Sequence, residues 1–410
     1  MKAPIVPSFL FTVGTGTAGR HSDLAQGLVN SIRMAPPQSR VGLVPSASPD
    51  SEAIAERVIE KLKQDREDIS ASIVGRLSAP DDLLACRREF RLLLRQLKQN
   101  AGQGELTVNP TSGTKQMTAA ATLACLDEGM GRITFITGER ADGVVKTGTE
   151  RLQPVDAGRL LAEQRIRSAL VLLEHGDYSA AARLASLTGT FFPFAAAATA
   201  MLAEWHRMNY AEALRAAAGS DALGEACRTL ERLRCAPEFS PDRSADMLAL
   251  ARRELDCDRP EESLSAVYRA VELLAKNRLQ ELGCPPRDWF AGSLARRLHP
   301  GDRLHAELKQ MQQTAPDKPL ILGLDKCLRL LEKDGFRLST MDGRLRDILR
   351  LRHETRFGHG DSCVAPADVR RLLDAVCARA CAQWPGMQPL LDASRFPDLA
   401  PLIRKELDHE

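Results

Sequence analysis

Apolar and polar positions follow two different rhythms along this chain. In roughly the first 150 residues, short apolar runs alternate with amphipathic stretches. "SFLFTVG", "RVGLVPS", "ISASIVGRL", "ELTVNP" and "RITFITGE" read as strands, and "GVVKTGTERL" is placed to close the sheet. Between them, "HSDLAQGLVNSIR", "SEAIAERVIEKLKQDRED", "DDLLACRREFRLLLRQLKQN" and "SGTKQMTAAATLACLDEG" repeat apolar residues at helical spacing. Strand–helix alternation of this kind predicts an α/β, Rossmann-like domain with a mostly parallel, doubly wound sheet.

From about residue 155 the strand signals stop and the pattern is helical throughout. "LLEHGDYSAAARLA" and "WHRMNYAEALRAA" align Tyr178 with Tyr210 across 32 residues, close to the period of stacked helical hairpins. The turn-forming "CAPEFSPDRS" then reads as a linker. "PEESLSAVYRAVELLAKNRLQELG" opens on Pro and closes on Gly, as helix ends prefer. Its stripe Leu264, Val267, Tyr268, Val271, Leu274 and Leu279 predicts burial in a helical bundle. The expected domains are residues 1–152 (Rossmann-like), 153–245 (helical hairpins) and 246–410 (helical bundle).

Composition narrows the functional classes. A net charge of +2 gives no global field for nucleic acid or membrane, so any such surface must be local. Aromatics make up only 4% of residues, too few for a stacking platform that reads single strands base by base. The ten cysteines include no CxxC, and HExxH is also absent, so no zinc motif is indicated. Reduced thiols and a cytoplasmic setting are expected. The N-terminal "PIVPSFLFTVGTG" reads as a first strand rather than a signal peptide, and no stretch is long enough to span a bilayer.

Two loops carry candidate chemistry in the first domain. "GTGTAG", residues 14–19, fits G-x-G-x-x-G between a strand and a helix. The next strand ends in "LVPSASPD", with Ser46 and Ser48 where a nicotinamide dinucleotide site needs an acid, which argues against a dehydrogenase. No P-loop sequence occurs. "NPTSGTKQM", residues 109–117, follows another strand and offers hydroxyls, a glycine backbone and the Lys115 ammonium. Thr111 or Ser112 serves equally well as a plain helix cap. A phosphate-bearing ligand at the sheet's C-terminal edge is the expectation.

Near the other end, "RLRHETRFGHG" spans residues 350–360. Read as helix, it sets Arg352 and His359 two turns and about 10 Å apart on one face. That is too far for two ligands of one metal, and Arg356 lies between them. Residues 343–359 hold five arginines, so a solvated face laced by i,i+4 pairs fits the same letters.

Taken together, "VGTGTAG", "NPTSGTKQM" and the R-x6-H-G motif in an all-helical C-terminal half resemble the CARF–HEPN ribonucleases of type III CRISPR systems. The resemblance implies a CARF sensor domain that binds a cyclic oligoadenylate, with the tetra-adenylate ring favoured over the hexa-adenylate. The binding residues it implies are Gly14, Thr15, Gly16, Thr17, Ser46, Asn109, Thr111, Ser112, Gly113, Thr114, Lys115 and Gln116. It further implies a HEPN domain with Arg352 and His359 as the catalytic pair, aided by His353 and Arg356. The expected activity is cleavage of single-stranded RNA by the neighbouring 2′-hydroxyl, in a homodimer, without a metal or other cofactor and without a membrane or stable DNA partner. His353 stands where that family usually has Asn, and Thr355 where it often has Ser. This departure keeps open a second reading, a nucleotide-sensing scaffold or regulator whose HEPN domain has lost its activity.

Overall fold

The computed structural model describes residues 8–15, 21–101, 106–130, 132–141, 144–284, 294–298, 300–301, 303–314 and 322–409. The chain divides into two compact units between Gln164 and Arg165.

The first unit contains strands β1 (Phe9–Val13), β2 (Arg40–Pro45), β3 (Ser70–Ile73), β4 (Thr107–Asn109), β5 (Arg132–Thr137), β6 (Arg140–Ala141), β7 (Val144–Val145) and β8 (Arg151–Asp156). Helices α1 (His21–Ile32), α2 (Pro49–Asp65), α3 (Leu83–Ala101) and α4 (Lys115–Asp127) connect them. The main sheet runs β3-β2-β1-β4-β5-β8, parallel except for β8, which runs against β5. Central strands β1, β2 and β4 are buried almost throughout, because helices cover both faces of a parallel sheet. One face packs Phe11, Val13 and Leu43 under Leu28 and Val29 of α1 and Ile54 and Val58 of α2. The other packs Leu10, Val44 and Val108 under Phe90 and Leu94 of α3 and Met117 and Ala121 of α4. The strand order therefore reverses between β1 and β4, and their C-terminal ends flank the crevice where open α/β sheets bind ligands.

The sheet closes differently from the sequence pattern. The segment placed to close it splits in two. Val144 and Val145 pair only with Arg140 and Ala141 in a small hairpin, while Arg151–Asp156 zips along all of β5. A reversal is needed before β8 can run antiparallel, and Gly148, at φ +93°, supplies a backbone conformation that other residues resist.

Helices α5 (Ala157–Glu174), α6 (Tyr178–Ser186), α7 (Pro193–His206) and α8 (Tyr210–Ala217) follow in succession, with α7 packed against both α6 and α8 and with Tyr178 opening α6 and Tyr210 opening α8. Next come α9 (Gly224–Cys235), α10 (Pro241–Asp256), α11 (Pro260–Glu281), α12 (Arg303–Thr314), α13 (Leu324–Leu331), α14 (Gly343–Leu351), α15 (Pro366–Gln383), α16 (Met387–Ala393) and α17 (Ala400–Asp408). Helix α11 is the centre of the bundle. Pro260 stands at its start, and Gly283, at φ +78°, ends it. Leu264, Val267, Val271, Leu274 and Leu279 are wholly buried against Cys327 and Leu330 of α13, Ile348 of α14 and Leu372 and Val376 of α15. All ten cysteines are free, and burial pushes the Cys125 and Cys327 thiols up to about 12, which makes them inert packing groups. Among the described residues no helix is long and apolar enough to cross a membrane.

Candidate functional site

The two loops singled out in the first unit meet. The Gly14 amide donates to Ser112 Oγ (3.2 Å), and a Cβ built on Gly14 would lie 2.5 Å from Gly113 Cα. Only glycine allows backbones to pass this closely. Asn109, buried at the end of β4, shapes the second loop. Its Oδ1 accepts from the Thr111 amide (3.2 Å) and its Nδ2 donates to Thr134 Oγ1 (3.1 Å). Thr111 Oγ1 in turn accepts from the Ile136 amide (2.8 Å), which fastens the loop to β5.

The cap of α4 is Thr114, neither Thr111 nor Ser112. Its Oγ1 accepts from the Met117 amide (3.1 Å) and donates to Pro80 O (2.5 Å). Thr111 and Ser112 hold loop geometry instead. Gly113 (φ +130°), Lys115 and Gln116 are exposed at the mouth of the turn. Ser46, nearly buried, lies beside the same sheet edge, where its amide donates to Ser51 Oγ (3.1 Å). Thr15 is half-buried after β1, while Gly16 and Thr17 lie outside the described residues. The structure thus brings Gly14, Ser112 and Gly113 into contact at one edge of the sheet. Gly113, Lys115 and Gln116 are exposed beside this contact, and the Lys115 ammonium there is suited to a phosphate.

In the second unit the single-helix reading of Arg352 and His359 is overturned. Helix α14 stops at Leu351, residues Arg352–Glu354 make one 3₁₀ turn, and the chain then doubles back. The His359 amide donates to His353 O (2.8 Å) and the Ser362 amide to Glu354 O (2.8 Å). Glycine permits this hook. A Cβ on Gly358 would sit 2.4 Å from His353 O, and one on Gly360 would sit 2.2 Å from Glu354 O. Thr355, wholly buried, ties the bend by donating from Oγ1 to Arg352 O (2.9 Å). Chain reversal, not helical periodicity, therefore brings His359 back to His353, the residue that follows Arg352.

The side chains of the hook divide by partner. Arg352 places its guanidinium over the Tyr268 ring of α11, 5.3 Å from the centroid. Its Nε is buried with no acceptor, and no carboxylate among the described residues ion-pairs with it. His353 is exposed and meets the same ring edge-on, at 5.5 Å and 84°. The His359 ring is exposed. Arg356 is turned away from these groups, bound to Glu262 of α11 and stacked near Phe357. Beside the hook, Tyr268, His353, Arg329, Arg346 and Arg350, with Asp325 and Glu332, line a cleft of about 340 Å³. Among the described residues no three His, Cys, Asp or Glu side chains converge as metal ligands do.

Tyr268 escaped the sequence reading because it sits in the apolar stripe of α11, where an aromatic residue reads as core. Thr355 was legible only as a replacement for the family's Ser, because its buried hydroxyl serves the backbone of a bend that helical periodicity does not announce.

Residues 232–382 match the protein family described as Csm6 HEPN domain. In fold, the chain is similar to Enterococcus italicus Csm6 bound to cyclic hexa-2'-fluoro-hexa-dAMP. The likeness covers 98% of this chain and 100% of that one, at a TM-score of 0.65 and 14% sequence identity. No curated protein matches the chain by sequence. Residues 232–382 thus form a helical region that matches the Csm6 HEPN family, and the whole chain, a Rossmann-like unit followed by helices, shares the fold of that Csm6 structure.

Proposed function

We propose that this chain is an antiviral endoribonuclease, switched on when its Rossmann-like unit binds a cyclic oligoadenylate, and that it works as a homodimer. The observation that carries the reading is the glycine-permitted hook in the HEPN-matching region, which bonds the His359 amide to His353 O and brings Gly358 against Arg352 O, so the two motif residues lie across one tight turn. Arg352 binds the non-bridging oxygens of a phosphodiester and stabilises charge that develops at phosphorus. The ribose 2′-hydroxyl attacks that phosphorus and gives its proton to His359. The bond to the 5′ oxygen then breaks, and the departing oxygen takes a proton from the imidazolium. The products are a 2′,3′-cyclic phosphate and a 5′-hydroxyl. Because the nucleophile belongs to the substrate, the reaction needs no metal-bound water.

In the Rossmann-like unit, the Gly14, Thr15 and 111–116 segments receive the activator, with Lys115 beside a phosphate. The fold likeness to a Csm6 bound to a cyclic hexanucleotide analogue supports a cyclic oligoadenylate of either ring size as the ligand class.

A fluorogenic single-stranded RNA, incubated with defined cyclic oligoadenylates in excess EDTA, tests the reading. Cleavage should rise with activator, and Arg352→Ala and His359→Ala should each lower it at least about 100-fold. Activator binding by either variant should match the parent. Undiminished cleavage by the double variant sinks the catalytic assignment. Ligand binding with no cleavage by the parent chain favours a sensing scaffold instead.

A further inference from the structure

We propose that Tyr268 is the positioning residue of the Arg352 site, holding the guanidinium over its ring so that no carboxylate offsets its charge and its terminal N–H donors stay free for phosphate. The inference rests on the catalytic reading of Arg352 given above and goes beyond it to a residue outside the R-x6-H-G motif.

An arginine that must grip phosphate needs a fixed position, and the usual anchor is a carboxylate. A carboxylate anchor offsets the positive charge and occupies two of the donors in a bidentate pair. Here the anchor is aromatic. The guanidinium carbon lies 5.3 Å from the Tyr268 centroid, within the range where a ring quadrupole attracts a cation. The ring face accepts the charge without consuming an in-plane N–H. Arg356, four residues on, shows the contrast. It is bound to Glu262, and its charge is met by a carboxylate.

Three further features fix the arrangement. Tyr268 neighbours the buried Val267 and Val271 on α11, so the backbone beneath the ring is held by the bundle core. Thr355 Oγ1 holds the Arg352 carbonyl, which sets the backbone from which the guanidinium extends. The His353 ring stands edge-on against the same tyrosine and leaves little room for it to turn. Arg352 Nε is also buried without an acceptor, an arrangement that costs stability. Packing on the ring, not hydrogen bonding, therefore sets the position of this guanidinium. Tyr268 and His353 also line the cleft of about 340 Å³ next to the hook, so the ring that anchors the arginine borders a space of small-ligand size.

The test measures kcat and KM of the full-length chain on single-stranded RNA at saturating activator. Tyr268→Phe keeps the ring and should hold kcat within about threefold of the parent. Tyr268→Leu removes it and should lower kcat about tenfold or more while KM moves little, the size expected of a partly desolvated cation–π contact. Equal kcat in parent and Tyr268→Leu overturns the proposal, and so does a Tyr268→Phe variant as slow as Tyr268→Leu. Should the leucine variant fail to fold, stepwise ring fluorination of phenylalanine at position 268 keeps the volume and weakens the ring face. In that series kcat should fall with each fluorine, and a flat series overturns the proposal. Arg352→Ala, run alongside, separates the two readings. If it is inactive while position 268 is indifferent, only the positioning role fails. If it is fully active, the catalytic reading fails and takes the positioning role with it.

Discussion

Gly358 shows how one missing methyl group can decide a site. Its place against His353 O and Arg352 O lets the chain turn back within hydrogen-bond reach of itself. Gly358→Ala forces a Cβ into a space 2.4 Å from a carbonyl oxygen, and backbone must move to admit it. A shift near 1 Å in a reacting group costs about 100-fold in rate. Activated RNA cleavage by Gly358→Ala should therefore fall by about that factor, with a smaller change in the urea midpoint. Gly343→Ala is the control, since open space surrounds that position and cleavage should stay at the parent rate. Equal activity in both variants would remove the hook from the mechanism. The sequence carried the glycines but not their meaning. Periodicity continued the helix through Arg352, because a run of Arg, His, Glu and Thr contains nothing that forbids it. Only contacts between residues 352–354 and 358–362 show the reversal, and no local pattern encodes them.

Elements were easier to read than the joints between them. Apolar runs at strand length and helices with one buried face follow from burial alone, so the alternation in the first unit and the α11 stripe were both visible as letters. The closing strand and the α4 cap were not, because several nearby residues satisfied the same local rule. Helix pairs also hold polar ties that periodicity hides. Asp246 of α10 is wholly buried and accepts from Trp205 Nε1 (2.9 Å) and Tyr210 Oη (2.7 Å). About two turns further along α10, Glu254 accepts from Arg259 Nη1 (3.2 Å) and pairs with His206 Nε2 (3.0 Å). Burial alone would raise the Glu254 carboxyl, but His206 and Arg259 outweigh it and hold it below the usual carboxylate range. A group depressed in the folded state adds stability above its unfolded pKa and loses it as pH falls through the folded value. Glu254→Gln should therefore lower the unfolding free energy near neutral pH by about 1–3 kcal/mol. It should also flatten the loss of stability seen in the parent below about pH 4.5. Urea melts at pH 7, 5 and 4 measure both effects, and parallel curves for parent and variant would rule out the Glu254 contribution.

Two units joined in one chain can act as a switch only if the ligand of one changes the free energy of the other. The chain folds into a Rossmann-like unit whose strand order reverses between β1 and β4 and a helical unit that carries the hook. A cyclic oligoadenylate activates cleavage only so far as it favours the cleaving arrangement over the resting one. If part of that preference acts on RNA affinity, the effect must be reciprocal. An RNA with a 2′-deoxy residue at the scissile position binds without being cut, which makes both directions measurable by calorimetry. Saturating activator should tighten this RNA by about 5–150-fold, and saturating RNA should tighten the activator by the same factor. Repeating the titration with tetra- and hexa-adenylate rings identifies the cognate ring as the one with the larger factor. Equality is required of affinities only, so a further effect on kcat does not disturb it. Should each ligand bind as though the other were absent, with either ring, affinity coupling is excluded. The switch would then act entirely on the step in which the 2′-hydroxyl attacks.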